Sequence, residues 1–185
     1  MVGKGNKGGD GLSATRHLIN HGWKNISVVF ISSKISEDSE RHRQLLKKMK
    51  VEMYLYSHTR KQSMNLIGRA DIIIDSLIGY HLQGVPRGDF RALIELINAV
   101  PAKVIAYDLP SGLDATTGDC LEPTIRAKVT LSLALPKRAF VTKAGKNVSG
   151  KIYIGDIGIP NFLYDKISRG SRPKFGEGAH GLLLL

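Results

Sequence analysis

Residues 3–11 read Gly-Lys-Gly-Asn-Lys-Gly-Gly-Asp-Gly, and the pattern of residues 12–21 after them predicts a helix that ends at Gly22. Glycine lets a backbone approach a phosphate group closely, and the free N–H groups at the start of a helix favour an anion there. The stretch therefore indicates a nucleotide-type loop. A turn with a purely structural role is the simpler alternative.

This glycine loop matches neither of the two common nucleotide-binding patterns. Its glycines fit G-x-G-x-x-G, but a dehydrogenase of that kind needs an acidic residue at the end of the next strand to bind the ribose hydroxyls. The chain has Ser32, Ser33 and Lys34 there. A P-loop is excluded because no Gly-Lys-Ser or Gly-Lys-Thr follows at the required spacing.

Short apolar runs alternate with helix-like segments along the rest of the chain. Residues 70–74 (ADIII) are almost entirely apolar, as in a parallel strand that is covered on both faces. Ser36, followed first by acidic residues and then by lysines, predicts a capped helix over 36–50. The alternation predicts an α/β fold, a Rossmann-like three-layer αβα sandwich with a mostly parallel sheet. The other expected strands are 26–31, 51–56, 103–107, 128–133 and 151–154, and a further helix is expected over 89–98.

From the sequence at its two ends, we expect the chain to be incomplete. Only Met1 and Val2 precede the glycine loop, so the strand that normally supports such a loop is almost absent. Residues 169–181 are basic and glycine-rich like a linker, and the leucines at 182–185 resemble a strand that is cut off. We expect one domain over residues 1–165, and a linker with the start of a second domain over 166–185.

The composition limits the possible partners. The 185 residues include 27 Lys and Arg against 16 Asp and Glu, a net charge of +11. This balance favours anionic partners such as nucleotides or RNA, although the basic residues of the 36–50 helix also fit a solvated helix face. No apolar run approaches the ~18 residues of a membrane span. The single Cys120 excludes a disulfide framework and a multi-cysteine zinc site, and it fits a reducing, cytoplasmic compartment.

Polar side chains directly follow two of the expected strands. Asp75 follows the third strand and begins a glycine-containing loop, while Asp108 and Ser111 follow the fourth strand. The carboxyl ends of parallel strands meet at one edge of the sheet, where open α/β sheets bind their ligands. We expect these groups and Lys7 to line one crevice. Such a set could bind a nucleotide and move protons, or hold a monovalent cation with oxygen ligands.

Five blocks in this order resemble the YjeF N-terminal domain, the NAD(P)H-hydrate epimerase family, over about residues 3–160. They are GNKGGDG (5–11), DSLIGYHLQG (75–84), DLPSGLDATTG (108–118), LALPK (133–137) and GDIGIP (155–160). The resemblance implies a Rossmann-like fold, a homodimer, and epimerisation at C6 of hydrated NADH or NADPH, damaged cofactors known as NADHX and NADPHX. It also implies an ATP- or ADP-dependent hydrate dehydratase as the functional partner. Residues 175–182 resemble the opening of that dehydratase, which is often fused behind this domain.

The resemblance also implies roles for residues, carried over by position. Asp108 would be the acid/base that aids loss and return of the C6 substituent, or ring opening and reclosure. The substrate pyrophosphate would lie on the amides of residues 8–11. The family's potassium ion would be held at the positions of Lys7, Asp75 and Ser111. The residues that would contact the substrate are Asn6, Lys7, Gly8, Gly9, Asp10, Gly79, Tyr80, His81, Leu82, Gln83, Gly84, Val85 and Asp108.

Lys7 is the main departure from the family pattern, which has asparagine at this position. An ammonium has only hydrogen-bond donors, so it cannot ligate a cation. Our hypothesis is that the Lys7 ammonium lies where potassium would lie and pairs with Asp75 and Ser111. The alternative is that Lys7 points to solvent or to the substrate pyrophosphate.

Two other functions compete with the epimerase. A non-catalytic nucleotide- or RNA-binding scaffold of the same fold is favoured by the net charge and by Lys7, but disfavoured by the intact Asp75, Asp108 and Ser111. An ordinary Rossmann oxidoreductase is disfavoured because no acid is placed to bind the ribose. We therefore expect a nucleotide substrate and no nucleic-acid partner.

Overall fold

The computed structural model describes residues 1–80, 84–167, 173, 175 and 182–184. The described part of the chain contains seven strands and six α-helices, which alternate except that β5 follows β4 directly. In chain order they are α1 (Asn6–Asn20), β1 (Ser27–Phe30), α2 (Glu37–Lys48), β2 (Glu52–Leu55), α3 (Arg60–Arg69), β3 (Ile72–Asp75), α4 (Gly88–Ala99), β4 (Lys103–Tyr107), β5 (Val129–Leu133), α5 (Lys143–Ser149), β6 (Lys151–Gly155), α6 (Asn161–Ile167) and β7 (Leu182–Leu184); a 3₁₀ turn spans Arg138–Val141.

The sheet is mostly parallel, as the sequence predicted. Strands β1 and β2 pair in parallel, and so do β3, β4, β5 and β6 in that order. The last strand, β7, pairs antiparallel with β6. The architecture is the predicted Rossmann-like α/β fold.

Residues 1–3 connect the two groups of parallel strands. Val2 forms parallel bridges to Phe30 on one side and to Ser76 on the other. The Val2 N–H donates to the Val29 carbonyl at 2.8 Å, and the Gly3 N–H donates to the Ser76 carbonyl at 2.8 Å. The strand that the sequence left almost absent is therefore present as a stub of central strand between β1 and β3.

Apolar side chains from the helices cover both faces of this sheet. Leu12 of α1 and Leu46 of α2 are buried in one cluster with Val2. Helices α3 and α4 contribute to a second, larger cluster with β3 and β4. The apolar stripe of α4 behaves as its spacing predicts, since Leu93, Ile94 and Ile97 are fully buried. The result is three layers, with helices on either side of the sheet.

Helix α1 begins six residues earlier than the sequence predicted. Gly5 is extended and precedes the first helical residue, Asn6, so most of the glycine stretch is helical rather than an open loop. Tertiary packing overrides the low helix propensity of glycine here. A Cβ on Gly8 would overlap the Gly3 carbonyl, and a Cβ on Gly3 would overlap the Leu77 carbonyl. These close approaches fix the start of the helix against the strand ends.

Helix α2 is capped as predicted. The Ser36 hydroxyl accepts from the Ser39 N–H at 3.3 Å, with acidic residues in the first turn and Lys47 and Lys48 in the last. Arg41 pairs with Glu37 at 2.5 Å and Arg43 with Glu40 at 2.7 Å along the helix surface. These pairs compensate part of the positive charge that the RNA-binding alternative would use. No helix in the described part of the chain is long and apolar enough to cross a membrane.

Candidate functional site

The start of α1 meets the loops that follow β3 and β4 at one edge of the sheet. Asp75 is the last residue of β3, and Ser111 lies four residues beyond the end of β4. Because these strands are parallel neighbours, their carboxyl ends bring both side chains under the first turn of α1. Lys7 in that turn completes the group, which we call the Lys7 cluster: Lys7, Asp75 and Ser111.

The Lys7 ammonium is surrounded by oxygen atoms in the Lys7 cluster. Its hydrogen-bond acceptors are two backbone carbonyls, a hydroxyl and a carboxylate. The distances from Nζ are 2.7 Å to Leu109 O, 3.0 Å to Ile78 O, 3.0 Å to Ser111 Oγ and 3.2 Å to Asp75 Oδ2. The Lys7 side chain is 5% exposed and that of Asp75 is 0% exposed. Lys7 therefore points inward, away from solvent.

Asp75 and Ser111 are bound tightly to each other beneath the ammonium. The Ser111 N–H donates to Asp75 Oδ2 at 2.8 Å, and the Ser111 hydroxyl donates to Oδ1 at 2.6 Å. The Leu77 N–H donates to the same Oδ1 at 3.1 Å, and the Ile78 N–H donates to Ser111 Oγ at 2.8 Å. Every polar atom of this carboxylate and hydroxyl is thus occupied by the protein itself.

The geometry of the Lys7 cluster suits a charged ammonium. Burial lowers the pKa of Lys7 below its usual value, and the neighbouring Asp75 carboxylate opposes that effect only in part. An ammonium has three donors for the four acceptors, whereas a neutral amine has two and would leave a buried carboxylate without a counter-charge. Because the ammonium occupies the centre of these four oxygens, they cannot hold a potassium ion at the same time. In residues 1–80 and 84–167, no group of three or more His, Cys, Asp or Glu side chains could hold a metal ion.

Asp108 lies one residue beyond β4, at the same edge of the sheet, but in a different setting. Its backbone has φ +66°, a conformation that costs a non-glycine residue energy, and its N–H donates to the Leu131 carbonyl at 2.7 Å. Its Oδ1 accepts from the Lys137 ammonium and, at 3.2 Å, from the Leu133 N–H. The side chain is 19% exposed, so solvent reaches it.

Lys137 is a residue of the site that the sequence reasoning missed. It belongs to the LALPK block, but no role was predicted for it. Its ammonium pairs with Asp108 and also donates to the Leu133 carbonyl at 3.0 Å. The available signal was its position: like Asp75 and Asp108, it follows a strand of the parallel sheet, here β5.

Comparison with known proteins identifies the family of this chain. The family model described as "YjeF-related protein N-terminus" matches residues 1–139. The chain belongs to this family.

Relatives of this YjeF-family chain carry epimerase names. An "NAD(P)H-hydrate epimerase" of Dehalogenimonas lykanthroporepellens is 36% identical over 90% of this chain and 64% of its own length. A "Bifunctional NAD(P)H-hydrate repair enzyme Nnr" of Moorella thermoacetica is 37% identical over 88% of this chain and 31% of its own length. The crystal structure of the yeast protein ynu0 (YNL200c) superposes with a TM-score of 0.85 at 26% identity, over 100% of this chain and 75% of that one. The chain thus spans less than two thirds of the first two relatives.

The other predicted substrate contacts of this YjeF-family domain lie around the same edge. Asn6 is exposed in the first turn of α1, Gly8 is buried, and Gly9 and Asp10 are half-buried. Gly79 is half-buried beside the Lys7 stem, and Tyr80, Gly84 and Val85 are exposed. His81, Leu82 and Gln83 lie outside the described residues.

Two details of the glycine stretch change the predicted roles. The N–H groups of Gly8 and Gly9 donate to the Gly5 carbonyl at 2.9 and 3.4 Å, so these two amides of the predicted pyrophosphate site on residues 8–11 are already engaged within the helix. The reason is the early start of α1, which leaves the amides of its first residues, Asn6 and Lys7, without intrahelical acceptors. Asp10 lies near Asp108, and the pKa of Asp10 is raised by burial and by the Asp108 charge.

Proposed function

We propose that this protein is an epimerase that interconverts the R and S forms of hydrated NADH or NADPH. The observation that carries the proposal is Asp108, a partly exposed carboxylate on a strained backbone, oriented by Lys137 at the sheet edge that the glycine stretch also borders. The family supports the same reading, because relatives at 35% and 36% identity are named NAD(P)H-hydrate epimerases.

The start of α1 would hold the substrate's pyrophosphate. The free amides of Asn6 and Lys7 and the positive end of the helix dipole favour a phosphate there. Gly5 leaves open space, since a Cβ added to it would meet nothing within 4 Å. Binding at this point would bring the hydrated nicotinamide end of the substrate towards the strand ends that carry Asp108.

Asp108 would move the proton that epimerisation at C6 requires. Loss and return of the C6 hydroxyl, or opening and reclosure of the ring, needs a group that donates and later removes one proton. Both described side-chain hydrogen bonds of Asp108 are accepted by Oδ1, which leaves Oδ2 for the substrate. Lys137 would be a positioning residue, because it contacts the carboxylate and fixes its direction.

Asp10 would complete the proton-handling pair. Burial and the neighbouring Asp108 charge raise the pKa of Asp10 and so favour its protonated form, while the ammonium of Lys137 faces Asp108. Two carboxyl groups in different environments can divide the roles of acid and base in this way. Asp10 would also lie against the substrate, as the family resemblance implies.

The surrounding pathway follows from the same proposal. An ATP- or ADP-dependent dehydratase would consume the S epimer, either as a separate protein or as a domain fused behind the epimerase domain. The M. thermoacetica relative, whose name calls it bifunctional, supports the fused arrangement. We place the activity in the cytoplasm, where the single Cys120 would stay reduced.

The test is the epimerisation of R-NADHX, with the S epimer removed by a separately supplied dehydratase. Asp108→Asn should reduce turnover by roughly 10²–10⁴-fold, because the amide cannot accept and return the proton. Its far-UV circular dichroism should match that of the unaltered protein.

The matched control is Asp114→Asn on the same loop. Asp114 Oδ1 accepts from the Thr116 and Thr117 N–H groups at 2.8 Å, and an asparagine oxygen can accept the same bonds. This control should keep full activity. Full activity of Asp108→Asn would refute the catalytic role, and inactivity of the folded unaltered protein would refute the proposed function.

A further inference from the structure

The Lys7 cluster has the composition of a monovalent-cation site. Two carbonyl oxygens, one hydroxyl and one carboxylate oxygen converge on a single buried point, and oxygen ligands of this kind bind hard cations. They come from two separate segments, namely the end of β3 with the loop after it, and the loop after β4. The point at their centre is taken by a side chain of the protein.

We propose that the Lys7 ammonium is a built-in monovalent cation, which makes the stability of this site independent of potassium. The ammonium lies 2.7–3.2 Å from the four oxygens and supplies the positive charge that the buried Asp75 requires. A cation that is part of the chain cannot dissociate. The site therefore keeps its charge balance in any salt.

The packing around the Lys7 stem is close at Gly79. A Cβ on Gly79 would lie 3.1 Å from the Cβ of Lys7, closer than most Cβ contacts, and at an ordinary contact distance of 3.7 Å from its Cδ. Because residue 79 is a glycine, the aliphatic part of the Lys7 side chain can pass from α1 to the oxygens. The helix start is itself fixed by the close approach of Gly8 to Gly3, so the stem has a fixed origin.

Removal of the ammonium should convert the site into one that binds a free cation. In Lys7→Asn the shorter amide side chain offers an oxygen and leaves room, while Asp75, Ser111 and the two carbonyls remain. The buried carboxylate then lacks a counter-charge, so a potassium ion that binds the folded state should stabilise it by mass action.

The experiment measures the thermal midpoint Tm in potassium, sodium, lithium and caesium chlorides at equal ionic strength. The Tm of the unaltered protein should be the same in all four salts. Lys7→Asn should have a lower Tm in lithium, and potassium should raise it selectively by at least about 2 °C, a measurable shift for a domain of this size. The control is Lys4→Asn, which removes the same charge from an exposed position three residues away and should respond like the unaltered protein.

Two results would overturn the proposal. One is a Tm of the unaltered protein that rises selectively in potassium, a measurement that needs no variant. The other is a Lys7→Asn protein that is equally stable, or equally unfolded, in all four salts. Because the readout is stability, it is independent of the proposed epimerase function, and loss of turnover alone would not affect it.

Discussion

The Lys7–Asp75 and Lys137–Asp108 pairs join the same two chemical groups at the ends of neighbouring strands, yet solvent reaches only the second. The exposed fractions of the side chains are 5% and 0% for the first pair, and 16% and 19% for the second. The first pair is enclosed by backbone groups of the β3 and β4 loops. The second lies where a small molecule could touch it. Burial therefore separates a charge pair that supports the site from one that is available for chemistry.

The hydrogen bonds of the two carboxylates explain the difference. Asp75 accepts bonds at both oxygens, from the Leu77 and Ser111 amides, the Ser111 hydroxyl and the Lys7 ammonium. The described bonds of Asp108 converge on one oxygen. A carboxylate whose oxygens are all occupied cannot accept a proton without breaking bonds, whereas Asp108 retains an oxygen for a substrate.

Replacement of Asp75 should cause the largest effect on stability. Asp75→Asn leaves the buried Lys7 ammonium without an anion, which should lower the free energy of unfolding by about 3–5 kcal/mol. Urea denaturation followed by circular dichroism measures the change. Asp108→Asn is the comparison and should change the free energy far less, since solvent screens its pair. Equal losses for the two variants would remove the distinction between the pairs.

Replacement of Lys137 should lower turnover while the fold is kept. Lys137→Met removes the group that orients Asp108, so kcat should fall by about tenfold or more, short of the ~10²–10⁴-fold expected for Asp108→Asn. KM should change little, because Lys137 is not proposed to contact the substrate. Lys137→Arg should restore part of kcat, and Lys143→Met, which removes an exposed charge six residues further along the chain, should keep it. A rise in KM at constant kcat would instead place Lys137 in substrate binding.

Replacement of Asp10 should have the smallest effect on stability, and the size of this effect depends on pH. The folded state raises the pKa of Asp10 above the ordinary 3.8, so folding disfavours its charged form at neutral pH. Asp10→Asn should therefore be slightly more stable than the unaltered protein near pH 7. The gain should shrink as the pH falls through the folded pKa and disappear below 3.8, where both states hold the proton. Thermal midpoints across this range test the prediction, and a gain that grows towards acid would contradict it.

The strands were predictable because each is a compact apolar run. The predicted strand 103–107 coincides with β4, and the others differ from the observed strands by one or two residues at the ends. Helix α3 was missed because it buries only Ser63 and Ile67, which gives no apolar periodicity. The early start of α1 was missed because its glycines disfavour a helix locally, and only packing against Gly3 permits one.

For the site, the sequence predicted only which residues lie at the ends of strands. Asp75, Asp108 and Ser111 follow apolar runs, so their placement at one sheet edge could be inferred from the sequence. The Lys137–Asp108 pair joins the ends of the neighbouring strands β4 and β5, and the sequence shows that both residues follow strands but not that their side chains meet. Which of these side chains meet depends on loop conformation, such as the positive φ of Asp108, and the residue pattern does not reveal it.

The close contact between Gly3 and Gly8 affects how conserved glycines in related sequences should be interpreted. Natural selection for a folded chain alone would retain glycine at both positions, because a methyl group at either overlaps a backbone carbonyl. A descendant that had lost all chemistry would still display most of the glycine signature. Gly5 is under no such steric constraint in the ligand-free fold. If descendants keep Gly5, the reason would be that a ligand approaches the backbone there. If they keep Gly3 and Gly8, the reason is only the steric requirement of the fold.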